Sequence, residues 1–386
     1  MKIAVVLGTR PEAIKLAAVV RRFLEIPHEF NIRVIVTAQH RGLLDQTLAA
    51  FSLTPDHDLD SMRPGQTLAE STARMVAALD PVLAAEQPGL VMVQGDTTTT
   101  FCGALAAFYR GIPVAHVEAG LRTGDQAQPF PEEMNRVLAA RLSTLHFAPT
   151  ASAAANLKRE GVPAERIFVT GNTGIDAVLE TRAALRAGRL RSNGLPALDP
   201  GKKLILVTAH RRESFGEGFE GICQALVRLA ARDDVQVVYP VHPNPNVRKA
   251  VLRNYETNPR MSLIEPLDYV SFVDLMCRAH VLLTDSGGIQ EEGPSLGKPV
   301  LVMRDKTERP EAVEAGTARL TGTDPGRIVA ETERLLDDPA EYARRSRIHN
   351  PYGDGCASTR IRDAIRSYKS ATCTLGAAAR AVSGSV

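Results

Sequence analysis

The sequence VLLTDSGGIQEEGPSLGKPVLVMR, residues 281–304, sets the expectation for the fold of the whole chain. Branched apolar residues from Val281 to Thr284 predict one buried strand, and Val300 to Met303 predict a second. The small residues at 285–288 predict a turn between them, and Ile289 to Leu296 predict a short helix. A strand, a turn, a helix and a second strand form the repeating unit of a parallel α/β sheet.

The turn in this stretch has the composition of a phosphate-binding turn. Ser286, Gly287 and Gly288 leave backbone N–H groups open at a helix N-terminus, and their small size lets an anion approach closely. Glu291 and Glu292 follow in the helix, where carboxylates repel phosphate but accept hydrogen bonds from sugar hydroxyls. A diphosphate carried on a ribose fits this pairing, although taken alone the motif fits an ordinary strand–turn–helix equally well.

The composition is that of a globular protein of two-domain size. The chain has 386 residues, 44% of them hydrophobic and 23% charged, which is enough for two separate cores. A formal net charge of +2 gives no basic field for nucleic acid or an acidic membrane surface. No apolar run approaches the length of a membrane span. The N-terminal MKIAVVLGTRPE predicts a strand and a turn, not a secretory signal. We therefore expect a cytoplasmic protein without nucleic-acid or membrane partners.

The cysteines predict neither a disulfide framework nor a metal site. They are odd in number, scattered and without metal-ligand spacing, which is typical of reduced thiols in the cytoplasm. They are Cys102, Cys223, Cys277, Cys356 and Cys373. The sequence also lacks a GxGxxG after a strand and a GxxxxGK followed by Ser or Thr, so it has neither a nicotinamide fingerprint nor a P-loop. We expect no metal and no cofactor.

Strands and helices alternate through the first half of the chain. This alternation predicts a parallel sheet with ligand sites at the carboxyl ends of its strands. The predicted strands are Ile3–Leu7, Ile32–Thr37, Leu90–Val93, Ile112–His116, Leu145–Phe147 and Ile167–Val169.

The same pattern starts again after a connecting helix and a linker. We assign residues 1–172 to a first domain, 173–199 to the connection and 200–350 to a second domain. A helix at 357–368 is expected to pack back on the first domain, and residues 370–386, small and rich in Ala and Ser, predict a disordered tail. Two parallel-sheet domains with ligand sites at facing strand ends imply one ligand in a central cleft.

Polar side chains follow several of the predicted strands in the first half. Arg10 and Lys15 lie at the first strand-to-helix turn, where both could face an anion. Asp96 stands at the carboxyl end of the strand Leu90–Val93. Taken alone, Asp96 fits two roles equally well: a cap of the next helix or a catalytic carboxylate.

Further carboxylates flank an irregular segment. Glu118 follows the strand Ile112–His116, and residues 120–131 have no periodicity, which is typical of a functional loop over a cleft. Glu132 and Glu133 begin the next helix. A negative charge in the first turn is stabilised by the helix dipole, so either glutamate is also explained by a structural role. We assign the catalytic role to Glu132 and the structural role to Glu133.

One histidine has a setting that favours function. His210 follows a predicted strand beside two arginines and a glutamate, which favours a functional role over a structural one. His40 and His146 stand alone and favour structural roles.

Taken together, these stretches resemble the non-hydrolysing UDP-N-acetylglucosamine 2-epimerases. This family consists of two-domain enzymes of the glycosyltransferase-B architecture that interconvert UDP-GlcNAc and UDP-ManNAc. The resemblance implies an α/β fold of two Rossmann-like parallel-sheet domains facing a central cleft, no cofactor, a homodimer, and a product used in polysaccharide or antibiotic biosynthesis. The matching stretches, in order between residues 7 and 355, are GTRPEAIKLA, TAQHR, QGDTTTT, HVEAGLRTGD, PFPEEMNR, GNTGIDA, TAHRRESFG, VHPNPNV, TDSGGIQEEGPSLGKPVL, ERPEAVEAGT and NPYGDG.

The resemblance implies a role for each candidate residue. Asp96, Glu118 and Glu132 match the catalytic carboxylates of the family, and His210 matches its catalytic histidine. The remaining candidates are expected to bind UDP and the sugar, with uracil against Leu267 and Phe272, ribose on Glu292, and phosphate on the turn. The binding set is Arg10, Lys15, His242, Leu267, Phe272, Ser286, Gly287, Gly288, Glu292 and Arg309.

Two glycines depart from the family pattern. Gly42 and Gly65 stand where relatives often carry Gln or Glu and Arg, side chains of a second UDP-GlcNAc site that activates bacterial relatives. Gln39, His40 and Arg211 would remain of that site. We therefore expect an enzyme that works without activation by its own substrate.

The implied reaction needs more than one carboxylate. The hydrogen at C2 of the sugar is weakly acidic, and without an oxidising cofactor its removal must be helped by departure of UDP from C1. Elimination to 2-acetamidoglucal and readdition of UDP would invert C2 if the proton arrives on the opposite face. Two faces require at least two proton-transfer groups.

Three alternatives remain at this point. A hydrolysing epimerase, which releases ManNAc and UDP, differs only in whether water or UDP completes the second step. A glycosyltransferase of the same architecture would need a groove for an acceptor. A nucleotide-sugar-binding regulator without catalysis would have no need for three carboxylates in the cleft.

Overall fold

The computed structural model describes residues 1–383 apart from 38–40, 64, 212–214, 243, 245–246, 249–250, 252–260, 308 and 348, and it describes side chains except at 41–43 and 372–383. The chain forms two compact units: unit 1 is Met1–Ala177 with Tyr352–Val386, and unit 2 is Val178–Pro351. Each unit is built on a parallel sheet surrounded by helices. The predicted α/β class with two parallel-sheet domains is confirmed.

The sheet of unit 1 has the strand order β3-β2-β1-β4-β5-β6-β7, and all neighbouring strands are parallel. The two-residue edge strand β3 was not expected, because so short a stretch has no periodicity to read. The strands are β1 Lys2–Leu7, β2 Asn31–Val36, β3 His57–Asp58, β4 Leu90–Gln94, β5 Val114–Val117, β6 Leu145–Ala148 and β7 Ile167–Val169.

Threonine caps fix where several helices of unit 1 begin. The hydroxyls of Thr9, Thr67, Thr97 and Thr150 each accept a hydrogen bond from a backbone N–H in the first turn. Helix α7 continues from unit 1 into unit 2. The helices are α1 Arg10–Leu24, α2 Arg41–Ala50, α3 Leu68–Glu86, α4 Thr98–Tyr109, α5 Glu132–Leu142, α6 Ala151–Arg159 and α7 Thr173–Arg186.

The sheet of unit 2 has the order β10-β9-β8-β11-β12-β13 and is also entirely parallel. Its strands are β8 Lys203–Thr208, β9 Val235–Pro240, β10 Met261–Ile264, β11 Val281–Thr284, β12 Val300–Val302 and β13 Ala318–Leu320. Its helices are α8 Glu217–Ala230, α9 Tyr269–Arg278, α10 Gly287–Ser295, α11 Pro310–Glu314, α12 Pro325–Asp337 and α13 Pro339–Ser346.

Both sheets contain a point where the strand order reverses. In unit 1 the order reverses between β1 and β4, and in unit 2 between β8 and β11. Ligands of open α/β sheets bind beyond the carboxyl ends of the strands at such a point. The turns after these four strands carry Arg10, Asp96, His210 and the candidates at 286–288.

The terminal helix α14, Ala357–Ser383, is longer than the predicted one and occupies most of the stretch for which a disordered tail was expected. Alanine has the highest helix propensity of all residues, and the composition that indicated disorder also favours helix. The helix starts on Asp176, whose carboxylate accepts from the backbone N–H groups of Ala357 and Ser358 at 3.2 and 2.8 Å. Further along, Lys369 Nζ donates to the carbonyl of Glu29 at 3.0 Å.

Among the helices that the structure describes, none combines the length and apolar character needed to cross a membrane. The described side chains also contain no group of three or more His, Cys, Asp or Glu arranged to hold a metal ion.

Candidate active site

The turn between β1 and α1 is built around a buried carboxylate that is not among the predicted site residues. Glu12 is fully buried, and its Oε2 accepts from the N–H groups of Gly8 and Thr9 at 3.0 and 2.7 Å. Its Oε1 accepts from the hydroxyl of Thr97 at 2.7 Å. Burial raises the pKa of Glu12, and the hydrogen bonds from Thr97, Thr9 and Gly8 act against that rise. Glu12 thereby ties the turn after β1 to the turn after β4.

Gly8 is required in this turn by close packing. A Cβ atom at Gly8 would lie 2.2 Å from Thr37 Oγ1 and 2.3 Å from Thr99 Oγ1. These two hydroxyls are hydrogen-bonded to each other at 2.8 Å. The first residues of α1, including Arg10, are therefore held at a fixed position above the carboxyl ends of β1 and β4.

Lys15 and Glu118 meet above the same strand ends. Lys15 Nζ lies 2.5 Å from Glu118 Oε2, and the side chains are 17% and 7% exposed. The amide of Gln94, at the end of β4, also donates to Glu118. Glu118 has a backbone φ of +64°, a conformation that costs a non-glycine residue of the order of 1 kcal/mol and that concentrates at functional sites.

Asp96 is fixed by the helix that follows the irregular loop. Arg136 of α5 donates to Asp96 Oδ2 from Nε at 3.0 Å and from Nη2 at 2.7 Å. The side-chain amide of Asn135 donates to the carbonyl oxygen of Asp96 at 2.9 Å. The carboxylate of Asp96 remains about one-third exposed, so it is oriented by the protein without being closed off from a ligand.

The two glutamates at the start of α5 have different surroundings. Glu133 is buried; Oε1 accepts from the N–H groups of Thr123 and Gly124, both at 3.0 Å, and Oε2 accepts from Arg136 at 2.9 Å. Glu132 is half-buried, and its carboxylate makes no hydrogen bond or ion pair to the residues that the structure describes. Glu133 therefore anchors the loop, while the carboxylate of Glu132 is available to a ligand.

In unit 2 a buried aspartate organises the turn after β8. Asp285, at the end of β11, is 0% exposed, and its Oδ2 accepts from the N–H groups of His210 and Arg211 at 2.6 and 2.7 Å. Its Oδ1 lies 3.4 Å from His210 Nδ1. A carboxylate beside Nδ1 orients the imidazole and leaves Nε2 for other contacts. From the sequence, Asp285 is predicted only as part of the turn at 285–288.

A second histidine lies against the first. The rings of His210 and His242 are stacked, with centroids 5.2 Å apart and planes 15° apart. The hydroxyl of Tyr239 donates to the carbonyl oxygen of Ala209 at 2.5 Å and supports the same turn from β9. Two predicted site residues, one after β8 and one after β9, are thus brought together.

The turn at 286–288 has the features of an anion site. It opens α10, whose first N–H groups have no partner within the helix, and the side chain of Ser286 makes no cap hydrogen bond. Arg309 lies over the turn, since a Cβ atom at Gly287 would be 3.3 Å from its Cζ. Arg309 Nε also donates to the buried Glu291 at 2.8 Å. A guanidinium held over open backbone N–H groups is suited to a phosphate.

The remaining predicted binding residues of unit 2 lie near α9 and α10. Leu267 and Phe272 are half-buried, in the turn before α9 and in its first turn. Glu292 is half-buried on α10, one residue after the buried Glu291. Their side chains are partly accessible, as a contact with a ligand would require.

The residues assigned to a second substrate site are only partly described. Gln39 and His40 lie outside the described residues, and Gly42 lies in the first turn of α2. Gly65 is exposed, with a φ of +72° and no atom within 4 Å of an added Cβ. Glycine at 65 is therefore explained by the turn itself. Arg211 is held through its backbone by Asp285.

Comparison with known proteins identifies the family. A family model described as UDP-N-acetylglucosamine 2-epimerase matches residues 24–366. The UDP-N-acetylglucosamine 2-epimerase of Salmonella typhimurium is 57% identical over 374 residues, which are 96% of this chain and 99% of the relative. The chain belongs to the UDP-N-acetylglucosamine 2-epimerase family. Its relative in Bacillus subtilis is 52% identical over 364 residues, 94% of each chain.

Solved structures of the family share the fold. The UDP-GlcNAc 2-epimerase of Neisseria meningitidis, solved bound to UDP-GlcNAc, has a TM-score of 0.88 and 45% identity, covering 95% of this chain and 100% of that one. The enzyme of Methanocaldococcus jannaschii, solved with UDP-GlcNAc and UDP, has a TM-score of 0.77 and 33% identity, again with 95% and 100% covered. The predicted resemblance to this family is confirmed.

Proposed function

We propose that this chain catalyses the reversible epimerisation of UDP-GlcNAc and UDP-ManNAc at C2, without net hydrolysis. The observation that carries the proposal is the grouping of ligand-accessible and oriented carboxylates in unit 1. Asp96 follows β4, Glu118 follows the adjacent strand β5, and Glu132 begins the next helix. Membership of the epimerase family supports the same substrate.

The reaction proceeds by elimination and readdition. A carboxylate takes the proton from C2, the C1–O bond to the β-phosphate breaks with its electron pair leaving on UDP, and C1 and C2 of the sugar become doubly bonded. In the return step a phosphate oxygen of UDP bonds to C1, and a proton is delivered to C2 from the opposite face. Two differently held acids are required, and Asp96, Glu118 and Glu132 supply them.

The three carboxylates are not equivalent. Glu118 is held by the ammonium of Lys15 and Asp96 by the guanidinium of Arg136, at 2.5 and 2.7 Å. These ion pairs orient both carboxylates before substrate enters. Glu132 has no such partner among the described residues, so no ion pair fixes the direction of its carboxylate.

Unit 2 supplies the groups for the nucleotide. The open N–H groups at Gly287 and Gly288, with the guanidinium of Arg309, stabilise the negative charge that develops on the diphosphate as the C1–O bond breaks. Glu292 receives the ribose hydroxyls, and Phe272 with Leu267 receives uracil. His210, oriented by Asp285, assists cleavage or reformation of the C1–O bond.

Product analysis distinguishes reversible epimerisation from the hydrolysing reaction. Purified enzyme is incubated with UDP-GlcNAc carrying ¹⁸O in the bridge between C1 and phosphorus. We expect UDP-ManNAc to form, ¹⁸O to scramble into non-bridging positions of the β-phosphate, and free UDP to stay at trace level. Stoichiometric release of UDP and ManNAc would assign the hydrolysing reaction. Binding of UDP-GlcNAc with neither conversion nor scrambling would indicate a non-catalytic binding protein.

We further propose that the enzyme works without activation by UDP-GlcNAc. Gly42 and Gly65 carry no side chain that could contact a second substrate molecule. We expect a hyperbolic dependence of velocity on UDP-GlcNAc concentration and immediate turnover of pure UDP-ManNAc. A sigmoidal curve, or a lag that added UDP-GlcNAc removes, would contradict this proposal.

A further inference from the structure

A cavity in unit 2 is lined by an unusual number of arginines. It has a volume of about 310 Å³ and lies beside the last turns of α7, the segment after α7, and the end of α9. Arg182 and Arg186 line it from α7, Arg191 from the following segment and Arg278 from α9. Asp274 is the one acidic side chain among its lining residues.

The carboxylate of this aspartate is already paired with other lining residues. Asp274 Oδ1 accepts from Arg278 Nε at 3.1 Å, and Oδ2 accepts from Arg278 Nη2 at 2.9 Å and from the hydroxyl of Ser192 at 2.6 Å. The pair of Asp274 and Arg278 therefore neutralises itself. The positive charge of the other three arginines is left without an acidic partner in the lining.

Those three arginines also lack strong contacts elsewhere. Arg182 donates to the carbonyl oxygen of Ser295 at 3.4 Å. Within the part of the chain that the structure describes, the guanidinium groups of Arg186 and Arg191 make no hydrogen bond or ion pair. Like charges gathered in one cavity repel each other, so an anion bound between them would be stabilised.

A half-buried lysine interacts electrostatically with two residues that line the cavity. Burial lowers the pKa of Lys298; Cys277, a lining residue, acts against this effect, and Arg186 adds to it. The ammonium of Lys298 makes no hydrogen bond or ion pair to a described residue. A half-buried cation without an acceptor is unfavourable, and a bound anion would relieve it.

The cavity is separate from the phosphate turn proposed for the substrate. Arg182 contacts Ser295 at the C-terminal end of α10, whereas the turn at 286–288 lies at its N-terminal end. Gly287 and Ser295 are eight positions apart on the helix, which is about 12 Å at 1.5 Å per residue. Leu185 and Leu190 supply an apolar part of the lining, against which an organic group could rest.

We propose that this cavity is a second anion site, which binds the diphosphate or triphosphate group of a small phosphorylated compound. Three guanidinium groups match a multiply charged oligophosphate better than a single carboxylate, because planar guanidinium groups donate in pairs to phosphate oxygens. This proposal does not depend on the function proposed above, since none of its residues belongs to the substrate site.

The test uses inorganic tripolyphosphate as the probe and the full-length chain. Its binding is measured by calorimetry for wild type, for the double variant Arg186→Ala/Arg191→Ala, and for Arg189→Ala. Arg189 is exposed near the same helix end but does not line the cavity, so it controls for general loss of charge. We expect a loss of affinity of at least tenfold in the double variant and less than twofold in the control. Epimerase activity without the probe should be unchanged in both.

Protection of a thiol locates the probe. Cys277 lines the cavity, whereas Cys356 is exposed and belongs to unit 1. Tripolyphosphate should slow alkylation of Cys277, followed peptide by peptide, and leave Cys356 unaffected. Equal affinity in wild type and double variant, or binding that is competitive with UDP and leaves Cys277 unprotected, would overturn the proposal and assign the probe to the phosphate turn.

Discussion

Lys15 and Glu118 form a largely buried ion pair at the carboxyl ends of β1 and β5, with 2.5 Å between Nζ and Oε2. The pair joins a residue of the first helix to a glutamate whose backbone is in the left-handed region, at φ +64°. Two residues 103 positions apart are thus fixed beside the end of β4, where Asp96 follows.

The first prediction concerns Glu118. Glu118→Gln removes a proton-transfer group and keeps the size of the side chain, so turnover should fall by roughly 10² to 10⁴-fold. Binding of UDP, measured by calorimetry, should change little, because UDP contacts other groups. Turnover within twofold of wild type would remove Glu118 from the reaction. Asp96→Asn should likewise lower turnover and change UDP binding little.

The second prediction separates the neighbouring glutamates of α5. Glu132→Gln should lower kcat strongly and leave the melting temperature unchanged, since its carboxylate has no partner among the described residues. Glu133→Gln should instead destabilise the protein by about 1–3 kcal/mol, because it disturbs a buried acceptor of two N–H groups and of Arg136. Kinetics and thermal unfolding of both variants check this. The reverse pattern would exchange the two roles.

The third prediction concerns the aspartate beneath His210. Asp285→Ala removes the acceptor of the His210 and Arg211 N–H groups, so both stability and kcat should fall. Asp324→Ala is the matched control in the same unit, because Asp324 caps α12. Its loss should cost about 1 kcal/mol of stability and leave kcat unchanged. If both variants lose activity equally, Asp285 has no specific part in positioning His210.

The fourth prediction is a loss of stability in acid. Burial lowers the pKa of His116 to about 4 and that of His146 to about 3, against 6.5 for an unperturbed histidine. Between pH 7 and pH 5 both therefore stay neutral in the folded state and take up a proton when the chain unfolds. The free energy of unfolding should fall by about 2 kcal/mol for each histidine over this interval.

A variant isolates this contribution. His146→Leu cannot titrate, so its loss of stability between pH 7 and pH 5, measured by urea unfolding, should be smaller than that of wild type by about 2 kcal/mol. The raised pKa of Glu12 acts in the opposite direction in both proteins and cancels in the difference. Parallel pH profiles for variant and wild type would contradict the assignment.

The sequence predicted the strands that carry the site because each is a short buried apolar run ended by a polar turn. Val281–Thr284 and Ile167–Val169 agree to the residue with the strands of the structure. The edge strand β3 was missed because it has two residues, and β13, Ala318–Leu320, because its central residue is an arginine and it forms no apolar run. Disorder of the tail stays a prediction; helix α14 extends to Ser383, and a run of alanines fits disorder and helix alike.

The candidate residues could be predicted because polar residue types follow the ends of predicted strands. The buried residues that hold the turns in place could not be predicted in this way. Glu12 is a buried carboxylate that accepts from N–H groups of its own turn and from the hydroxyl of Thr97 in the turn after β4. Asp285 is a buried carboxylate that accepts from N–H groups of the turn after β8. No spacing in the sequence reveals the contact of Glu12 with Thr97 or the contacts of Asp285, because these join turns of different strands. The capping pattern of Thr9 with Glu12 three residues later was a usable signal for the first of them.

The most direct test of the account is proton NMR of UDP-GlcNAc incubated with the enzyme in D₂O. Removal and return of the C2 proton at the carboxylates predicts deuterium at C2 of both epimers, with UDP still attached at equilibrium. Epimerisation with the original hydrogen retained at C2 would contradict elimination and readdition.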